Sequence, residues 1–361
     1  MEVIRPGPLA TIQDLGRPGL GHLGVRCCGA ADAASLRLAN RLAGNPEGAA
    51  GLEITFGRAE FRAGQPCRVA LAGAPVPVRV TRPATPAGPA SPAGPAGPAS
   101  PAPSGPAAPG PAGPDTPAPA STAGPDEPGE PGFGTGFWLP AGGVLRLGAS
   151  RAGLRTYLAV RGGIAVPPVL GSRSADLVSG LGPPPLRPGD RLPVGGPGQE
   201  GQRGRGELAA TGLAGTGLAG TELAGTGLPG TELAGTGLAG TEVTRGPVLL
   251  TVIPGPRADW FAADALSLLC GGDYTVSTDS DRTGLRLAGP PLRRASAREL
   301  PSEGLVPGAL QVPPDGAPIL LLADHPVTGG YPVIAVVRSA DIGRAAQLRP
   351  GQQVRFAVSG R

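Results

Sequence analysis

One signature occurs twice, in the same order, and it restricts the chain to folds made of two related halves. Tyr157 to Val160 reads YLAV and is followed by SADL at Ser174 to Leu177 and LRPGDRLPV at Leu186 to Val194. Ile319 to Ala323 reads ILLLA and is followed by SADI at Ser339 to Ile342 and LRPGQQVRF at Leu348 to Phe356. Each copy predicts a strand, a short helix or turn opened by Ser-Ala-Asp, and a Pro-Gly turn into a final strand. Further strands are predicted at Leu52 to Thr55, Arg68 to Ala72, Val76 to Val80, Val144 to Leu147, Arg155 to Val160, Val248 to Ile253, Val333 to Val337 and Val354 to Val358. Two stretches have helical spacing: Ala31 to Ala43, stopped by Gly44-Asn45-Pro46, and Asp259 to Leu269, stopped by Gly271-Gly272. Many short strands and few helices predict a mainly β protein of two tandem barrels.

Low-complexity sequence separates these parts. The stretch 82–132 is rich in Pro, Gly and Ala and has almost no large apolar side chains, so burial cannot offset its ordering entropy and a disordered insert is expected. From Thr211 to Glu242 the pentapeptide TGLAG or TELAG recurs, once as TGLPG, which is read as a linker rather than a solenoid. The expected organisation is a first barrel over 1–200 containing the insert, a linker over 201–245, and a second barrel over 246–361.

All 31 basic residues are Arg, because the chain has no Lys. That excludes a Walker A lysine, a Schiff base on Lys and covalent biotin. A net charge of +4 with 3% aromatic residues gives no nucleic-acid signature. Cys27, Cys28, Cys67 and Cys270 have no CxxC spacing and the only His residues are His22 and His325, so no metal site is expected. No apolar run approaches the ~18 residues of a membrane span. The opening MEVIRPGPLATIQDLGRPG is broken by Pro and Gly where a signal peptide is continuous, which predicts a cytoplasmic protein.

Polar residues gather in Gly-flanked stretches, where a barrel presents its loops. QDLGRPGLGHLGV offers Asp14, Arg17 and His22; STDSDRTGLRL offers Asp279, Asp281 and Arg282; LPSEGLVPGALQVPPDG offers Glu303 and Gln311; and ADHPVTGGYPVIAVVRSAD offers Asp324, His325, Thr328 and Tyr331 around Gly329-Gly330. An Arg fork can hold a carboxylate or phosphate, and adjacent backbone N–H groups can hold an anion. Tight turns with internal ion pairs are the alternative reading of each stretch. Cys27 and Cys28 have no base beside them in sequence and are not assigned a nucleophilic role.

RPGPLATIQDLGRPGLGHLGV, GAADAASLRLANRLAGNPEGAAGLEIT, YLAVRGGIAVPPVLGSRSADL, YTVSTDSDRTGLRLAGPPL, SEGLVPGALQVPPDGAPILLLADHPVTGGYPVIAVV and SADIGRAAQLRPGQQVRF closely resemble the biotin-dependent carboxyltransferase family that includes the C component of 5-oxoprolinase, also described as allophanate hydrolase subunit 2. The resemblance covers nearly all of the chain outside the two inserts. It implies two tandem cyclophilin-like β-barrel domains with a few short helices. It also implies a hydrolase subunit in the ATP-dependent opening of 5-oxo-L-proline to L-glutamate, working with subunits A and B. ATP with Mg²⁺ would be bound by this chain or by a partner. A lactam is a poor electrophile, so phosphorylation of its carbonyl oxygen would create a leaving group before water attacks.

Residue chemistry at the matched positions suggests that Arg282 orients the substrate carboxylate or a phosphate and that Asp281 or Glu303 handles a proton or metal. Gly329 and Gly330 would supply backbone donors, and Thr328 and Tyr331 would shape the pocket. Asp14, Arg17, His22, Gln311, Asp324 and His325 complete the expected binding residues. The family often has Lys after Tyr331-Pro332, where this chain has Val333, so a cationic role there is lost or moved to Arg338. The same family implies two alternatives: carboxyl transfer from biotin carried on another protein to urea or a related amide, or non-enzymatic regulation through a partner of a sensor kinase.

Overall fold

The computed structural model describes residues 1–81, 132–196, 241, 243–296 and 298–359. Almost all of the Pro-rich insert and of the pentapeptide tract lies outside the described residues. The first half contains β1 (Glu2–Arg5), β2 (Leu9–Gln13), α1 (Ala33–Ala43), β3 (Gly51–Thr55), β4 (Glu60–Arg62), β5 (Cys67–Gly73), β6 (Val78–Thr81), β7 (Gly136–Leu139), β8 (Val144–Leu147) and β9 (Arg155–Val160). Its wall is divided into two sheets, β1-β4-β8-β6 and β2-β3-β9-β5-β7. Their inner faces share one core that includes Val3, Ile12, Leu52, Ile54, Phe61, Val69, Phe137, Leu145 and Leu158.

α1 covers the outer face of the larger sheet, packing Leu36, Ala39 and Ala43 with Ala70, Ala72, Tyr157 and Ala159. With the core on one side and the helix on the other, all six residues of β9 are buried. Asp32 caps the start of α1 by accepting from the Ser35 N–H, and Gly44 ends it at φ 84°.

The second half contains β10 (Val248–Pro254), α2 (Ala265–Gly271), β11 (Tyr274–Val276), β12 (Gly284–Ala288), β13 (Glu303–Gly304), β14 (Ala309–Gln311), β15 (Ile319–Leu321), β16 (Thr328–Gly329), β17 (Val333–Val337), α3 (Ser339–Ala346) and β18 (Gln353–Val358). Seven of these strands close a barrel in the order β10-β17-β14-β15-β12-β11-β18, and β18 returns to pair parallel with β10. Its core includes Leu250, Val252, Leu269, Leu285, Leu310, Leu320 and Ile334, with Tyr274 and Phe356 edge to face at 5.8 Å. β13 and β16 pair as a separate two-stranded ribbon. Among the described residues no helix is long and apolar enough to cross a membrane.

The mainly β architecture of two tandem barrels is thus present, and the repeated signature folds alike where its turn chemistry is shared. In both copies the N–H after Arg-Pro-Gly returns to the Arg carbonyl, from Asp190 to Arg187 at 3.2 Å and from Gln352 to Arg349 at 3.0 Å. Both turn glycines are left-handed, Gly189 at φ 91° and Gly351 at φ 82°. This is a type II turn with Pro and Gly in the central positions.

The copies then diverge. LRPGQQVRF continues into β18, whereas LRPGDRLPV forms only isolated bridges at Arg191 and Val194. Pro193 has no N–H to give a ladder, which limits strand formation there. SADI opens α3, while SADL is a turn in which Asp176 accepts from the Val178 and Ser179 N–H groups at 2.9 and 3.1 Å.

The predicted helix over Asp259 to Leu269 is also corrected: it splits into a single 3-10 turn at Ala258–Trp260 and α2. Phe261 is extended at φ −109°, ψ 161°, and is buried in the core. Neighbouring backbone groups bond the 293–295 segment instead of a helical turn, with Ala262 N–H to the Arg293 carbonyl at 3.0 Å and Ala295 N–H to the Trp260 carbonyl at 2.8 Å.

Candidate functional site

Most of the residues singled out from the sequence fall into three groups. In the first half, Asp14 and Arg17 are buried and tie two loops together. Asp14 accepts from the Gly16 N–H (2.8 Å), the Ser172 and Ser174 hydroxyls (2.6 and 2.5 Å) and the Arg173 N–H (2.6 Å). Arg17 donates to the Val169 and Ser174 carbonyls at 3.0 and 2.5 Å. His22 lies apart from them on an exposed 3-10 turn, 3.1 Å from the Gly19 carbonyl.

The second group lies where the two halves meet, and Arg282 is its centre. This arginine is only 5% exposed. It forks onto Asp324, with Nε to Oδ2 at 2.8 Å and Nη2 to Oδ1 at 2.9 Å, and donates through Nη2 to the Gly29 carbonyl at 2.6 Å. Nη1 bonds Glu53 of β3. Glu53 also accepts from the Ala31 N–H at 2.9 Å and the Tyr157 hydroxyl at 2.7 Å, and lies 3.3 Å from Arg155 Nε.

Local backbone geometry explains the Gly29 contact. Cys28 and Gly29 are both left-handed, at φ 51° and 95°, and a Cβ at Gly29 would lie 2.8 Å from the Gly16 nitrogen. Two other bonds hold this segment: Ala30 N–H to the Asp14 carbonyl at 2.9 Å, and Arg26 Nη1 to the Asp324 carbonyl at 2.9 Å. The first and second groups are therefore connected through residues 26–31.

A second set of bonds closes the same junction. Gln347, at the end of α3, accepts from the Leu154 and Arg155 N–H groups, both at 2.9 Å. Its amide donates to Asp32 Oδ2 and to the Arg155 carbonyl, again at 2.9 Å each. Arg155 in turn reaches the Ala346 carbonyl.

Burial and charge oppose one another here. Burial raises the pKa of Glu53, but the Arg282 and Arg155 cations and the Ala31 N–H outweigh it, leaving the carboxyl below its ordinary value. Asp324 lies above its ordinary value, because burial and the charges of Glu53 and Asp176 outweigh its fork with Arg282. Arg282 is held protonated: burial disfavours its charge, and Glu53 and Asp324 overcome that. Burial, aided by Asp324 and Asp176, raises the Cys28 thiol, so it stays protonated at neutral pH. Burial likewise lowers the His325 pKa, favouring the neutral ring.

These directions predict a pH dependence. Glu53, lowered in the fold, stabilises fully above its unfolded pKa and loses that contribution as pH falls through its folded value. Asp324, raised in the fold, runs in the opposite sense, since its neutral form is the one the fold prefers. Because the Glu53 charge also raises Asp324, the subtraction is made in an Asp324→Asn background, where taking the melting curve with Glu53→Gln from that without it should isolate the Glu53 part. The difference should be flat near neutrality and shrink below about pH 4. A difference that grows on acidification would contradict the assignment.

The third group surrounds the β13–β16 ribbon. Glu303 is held by Arg257, which lowers its pKa, with Nε at 3.0 and 3.2 Å from the two carboxylate oxygens. Gln311 is buried and donates to the Tyr331 carbonyl at 3.1 Å. A side chain at Gly329 would meet Gln311 Nε2 at 2.8 Å, so this glycine permits the close packing of ribbon and barrel. Thr328 and Gly330 are exposed. Tyr331, 43% exposed, places its ring 5.8 Å from the Arg294 guanidinium. Gly330 and Tyr331 border a pocket of about 900 Å³ whose wall includes Arg293, Arg294, Arg298, Glu299 and Asp315.

Asp281 stands outside all three groups, in an exposed turn where it accepts from the Thr283 and Gly284 N–H groups at 2.7 and 3.2 Å. Val333 packs with Ala309 and Leu321. Arg338 lies beyond the far end of β17, roughly 17 Å along the strand at about 3.3 Å per residue, and 3.4 Å from the Ser359 hydroxyl. It therefore cannot supply a cation at the Val333 position.

Sequence reasoning missed Glu53, Tyr157, Asp32, Asp176, Arg155 and Gln347. An acid in the middle of GLEIT, a strand otherwise without charge, was the available signal for Glu53.

The chain matches the description "Carboxyltransferase domain, subdomain A and B" over residues 23–93 and 129–358. It is similar to the C component of 5-oxoprolinase from Escherichia coli, with 32% identity over 99% of this chain and 90% of that one. Urea amidolyase of Lachancea kluyveri is 27% identical over 98% of this chain and 17% of its own length. The solved structure of TTHA0988 is 29% identical, with a TM-score of 0.67 over 99% of this chain. This chain spans 55% of that solved chain. Architecture and sequence thus agree, and the chain belongs to the carboxyltransferase domain family, subdomain A and B.

Proposed function

We propose that the chain is one subunit of a cytoplasmic, ATP-dependent enzyme that opens 5-oxo-L-proline to L-glutamate, active only with partner subunits A and B. The geometric observation that carries this reading is the pocket at Gly330 and Tyr331, where three arginines line a volume of about 900 Å³. That volume is within the range for small-molecule sites, and a guanidinium fork suits the carboxylate of a compact lactam. The 32% identity with the E. coli 5-oxoprolinase component supports the same reading.

In this reading Arg298 and Arg293 hold the substrate carboxylate, while Arg294 steadies the Tyr331 ring beside it. Gly330 leaves the backbone accessible to the lactam oxygen. Arg282 acts as a positioning residue: a substrate carboxylate could reach it only by displacing Glu53 or Asp324. Its fork sets Asp324 and hence the start of the 324–331 segment. Glu303, held by Arg257, fixes the ribbon that carries Thr328 and Gly329.

Among the described residues no three His, Cys, Asp or Glu side chains gather as a metal site. Mg²⁺ that arrives with nucleotide phosphates needs only one or two carboxylates from the protein, so in this reading ATP with Mg²⁺ is bound either by this chain or by a partner subunit.

Glutamate release from 5-oxo-L-proline with ATP and Mg²⁺ tests the reading. Activity is expected for the chain mixed with subunits A and B and not for the chain alone. Arg298→Gln in that mixture should raise KM about tenfold with a smaller change in kcat, as expected for loss of a charge-assisted bond made in the ground state. A verified, stable mixture without activity would remove this reading. Carboxyl transfer, supported by the likeness to urea amidolyase, would instead require biotin and bicarbonate.

A further inference from the structure

A second cavity, of about 720 Å³, lies in the first half, away from all three groups described above. Strand register builds one wall of it. Arg68 of β5 sits opposite Trp138 of β7, while the Arg161 N–H just beyond β9 donates to the Arg68 carbonyl at 2.8 Å. Directly opposed residues of antiparallel strands share a face, so Trp138, Arg68 and Arg161 form a row on the outer side of the sheet, beyond the end of α1. All three line the cavity. Gly136 makes room for this arrangement: a Cβ there would lie 2.9 Å from Arg68 Nε and 3.0 Å from Nη2.

Among the described residues, no acid neutralises the two cations. Neither enters an ion pair among the described residues, and the cavity wall contains no Asp or Glu. Arg68 Nε is shielded from solvent without a hydrogen-bond partner. Guanidinium groups form their strongest bonds with carboxylates and phosphates, often two at once. The half-buried indole of Trp138 adds a flat apolar surface next to them. The cavity volume lies within the range of small-molecule sites.

We infer that this cavity is a binding site for a small organic anion carrying a flat ring, with Arg68 and Arg161 taking the anionic group and Trp138 the ring. The site is independent of the function proposed above. A nucleoside monophosphate and an aromatic carboxylate share the required chemistry.

Calorimetry on the full chain with AMP, with benzoate and with inorganic phosphate tests the inference. At least one ring-bearing anion should saturate, and should bind about tenfold or more tightly than phosphate, from stacking of its ring. AMP binding best would identify the phosphate source, and benzoate binding best the carboxylate source. The double variant Arg68→Gln with Arg161→Gln should weaken the preferred probe by about tenfold or more, whereas Arg298→Gln in the other pocket should leave it unchanged. In a Trp260→Phe background, the same probe should alter the emission of Trp138. No saturation by any probe to the unmodified chain overturns the site, as does binding lost in Arg298→Gln. If the double variant fails to fold, the response of Trp138 decides: saturation without any change in its emission also overturns the proposal.

Discussion

Arg282→Ala is expected to destabilise the folded chain by about 3–5 kcal/mol, the cost typical of removing one partner from a buried charge cluster. The substitution strands Glu53 and Asp324 in the protein interior, and the Gly29 carbonyl loses its donor. Urea unfolding should show a lower midpoint with little change in slope. Arg282→Lys should recover part of the loss, because an ammonium keeps the charge but cannot reproduce the fork on Asp324. In the assembled enzyme, turnover by Arg282→Ala should fall with the folded fraction and through misplacement of the 324–331 segment. Destabilisation below about 1 kcal/mol, the range of exposed ion pairs, would mean that this junction is solvated.

Gln347→Leu should cost about 3–5 kcal/mol, judged from about 1–3 kcal/mol for each buried polar group left without a partner. Leucine fills a similar space but leaves the Leu154 and Arg155 N–H groups, the Arg155 carbonyl and one Asp32 oxygen without this partner. Gln347→Glu is a sharper control: it keeps the acceptor for both N–H groups while placing a charge against Asp32, and should also be destabilising. The junction can be dissected by combining Gln347→Leu with Arg282→Ala. Arg155 touches Gln347 through its backbone and Glu53 through its side chain, so the two losses should depart from additivity by more than about 0.5 kcal/mol. Strict additivity would show that the two bond sets act separately.

The barrel walls were legible because their signals are local. β8, β9 and β17 follow the predicted bounds, since alternating or continuous apolar runs stop at Gly and Pro within a few residues. α1 was legible from its spacing and its Gly stop. The helix over Asp259 to Leu269 was misread because bonds from the 293–295 segment, remote in sequence, draw the Phe261 region into extended form. The junction was hardest to read. Arg282 and Asp281 are neighbours with the same polar character, yet one is buried in an ion cluster and the other lies in an exposed turn. Only the register of β12 and the loops before it separates them. The partner of Arg282 on β3 is far away in sequence, and no spacing rule connects Glu53 to it.

The parallel seam between β10 and β18 bears on when the junction can form. The opening strand of the second barrel is paired by the last of the described strands, and β11 also pairs with that strand. Contacts between distant segments carry a loop-closure cost and slow folding. The loop bearing Arg282 joins β11 to β12, which pair with each other, and this hairpin is flanked by β18 on one side and β15 on the other. The first half can bury most of its own core earlier, with Glu53 bonded to Tyr157 and the Ala31 N–H and Asp32 bonded to Ser35, but without Arg282 and Gln347. The bonds from Arg282 to Glu53 and from Gln347 to Asp32 are thus ones that only the joined halves can make.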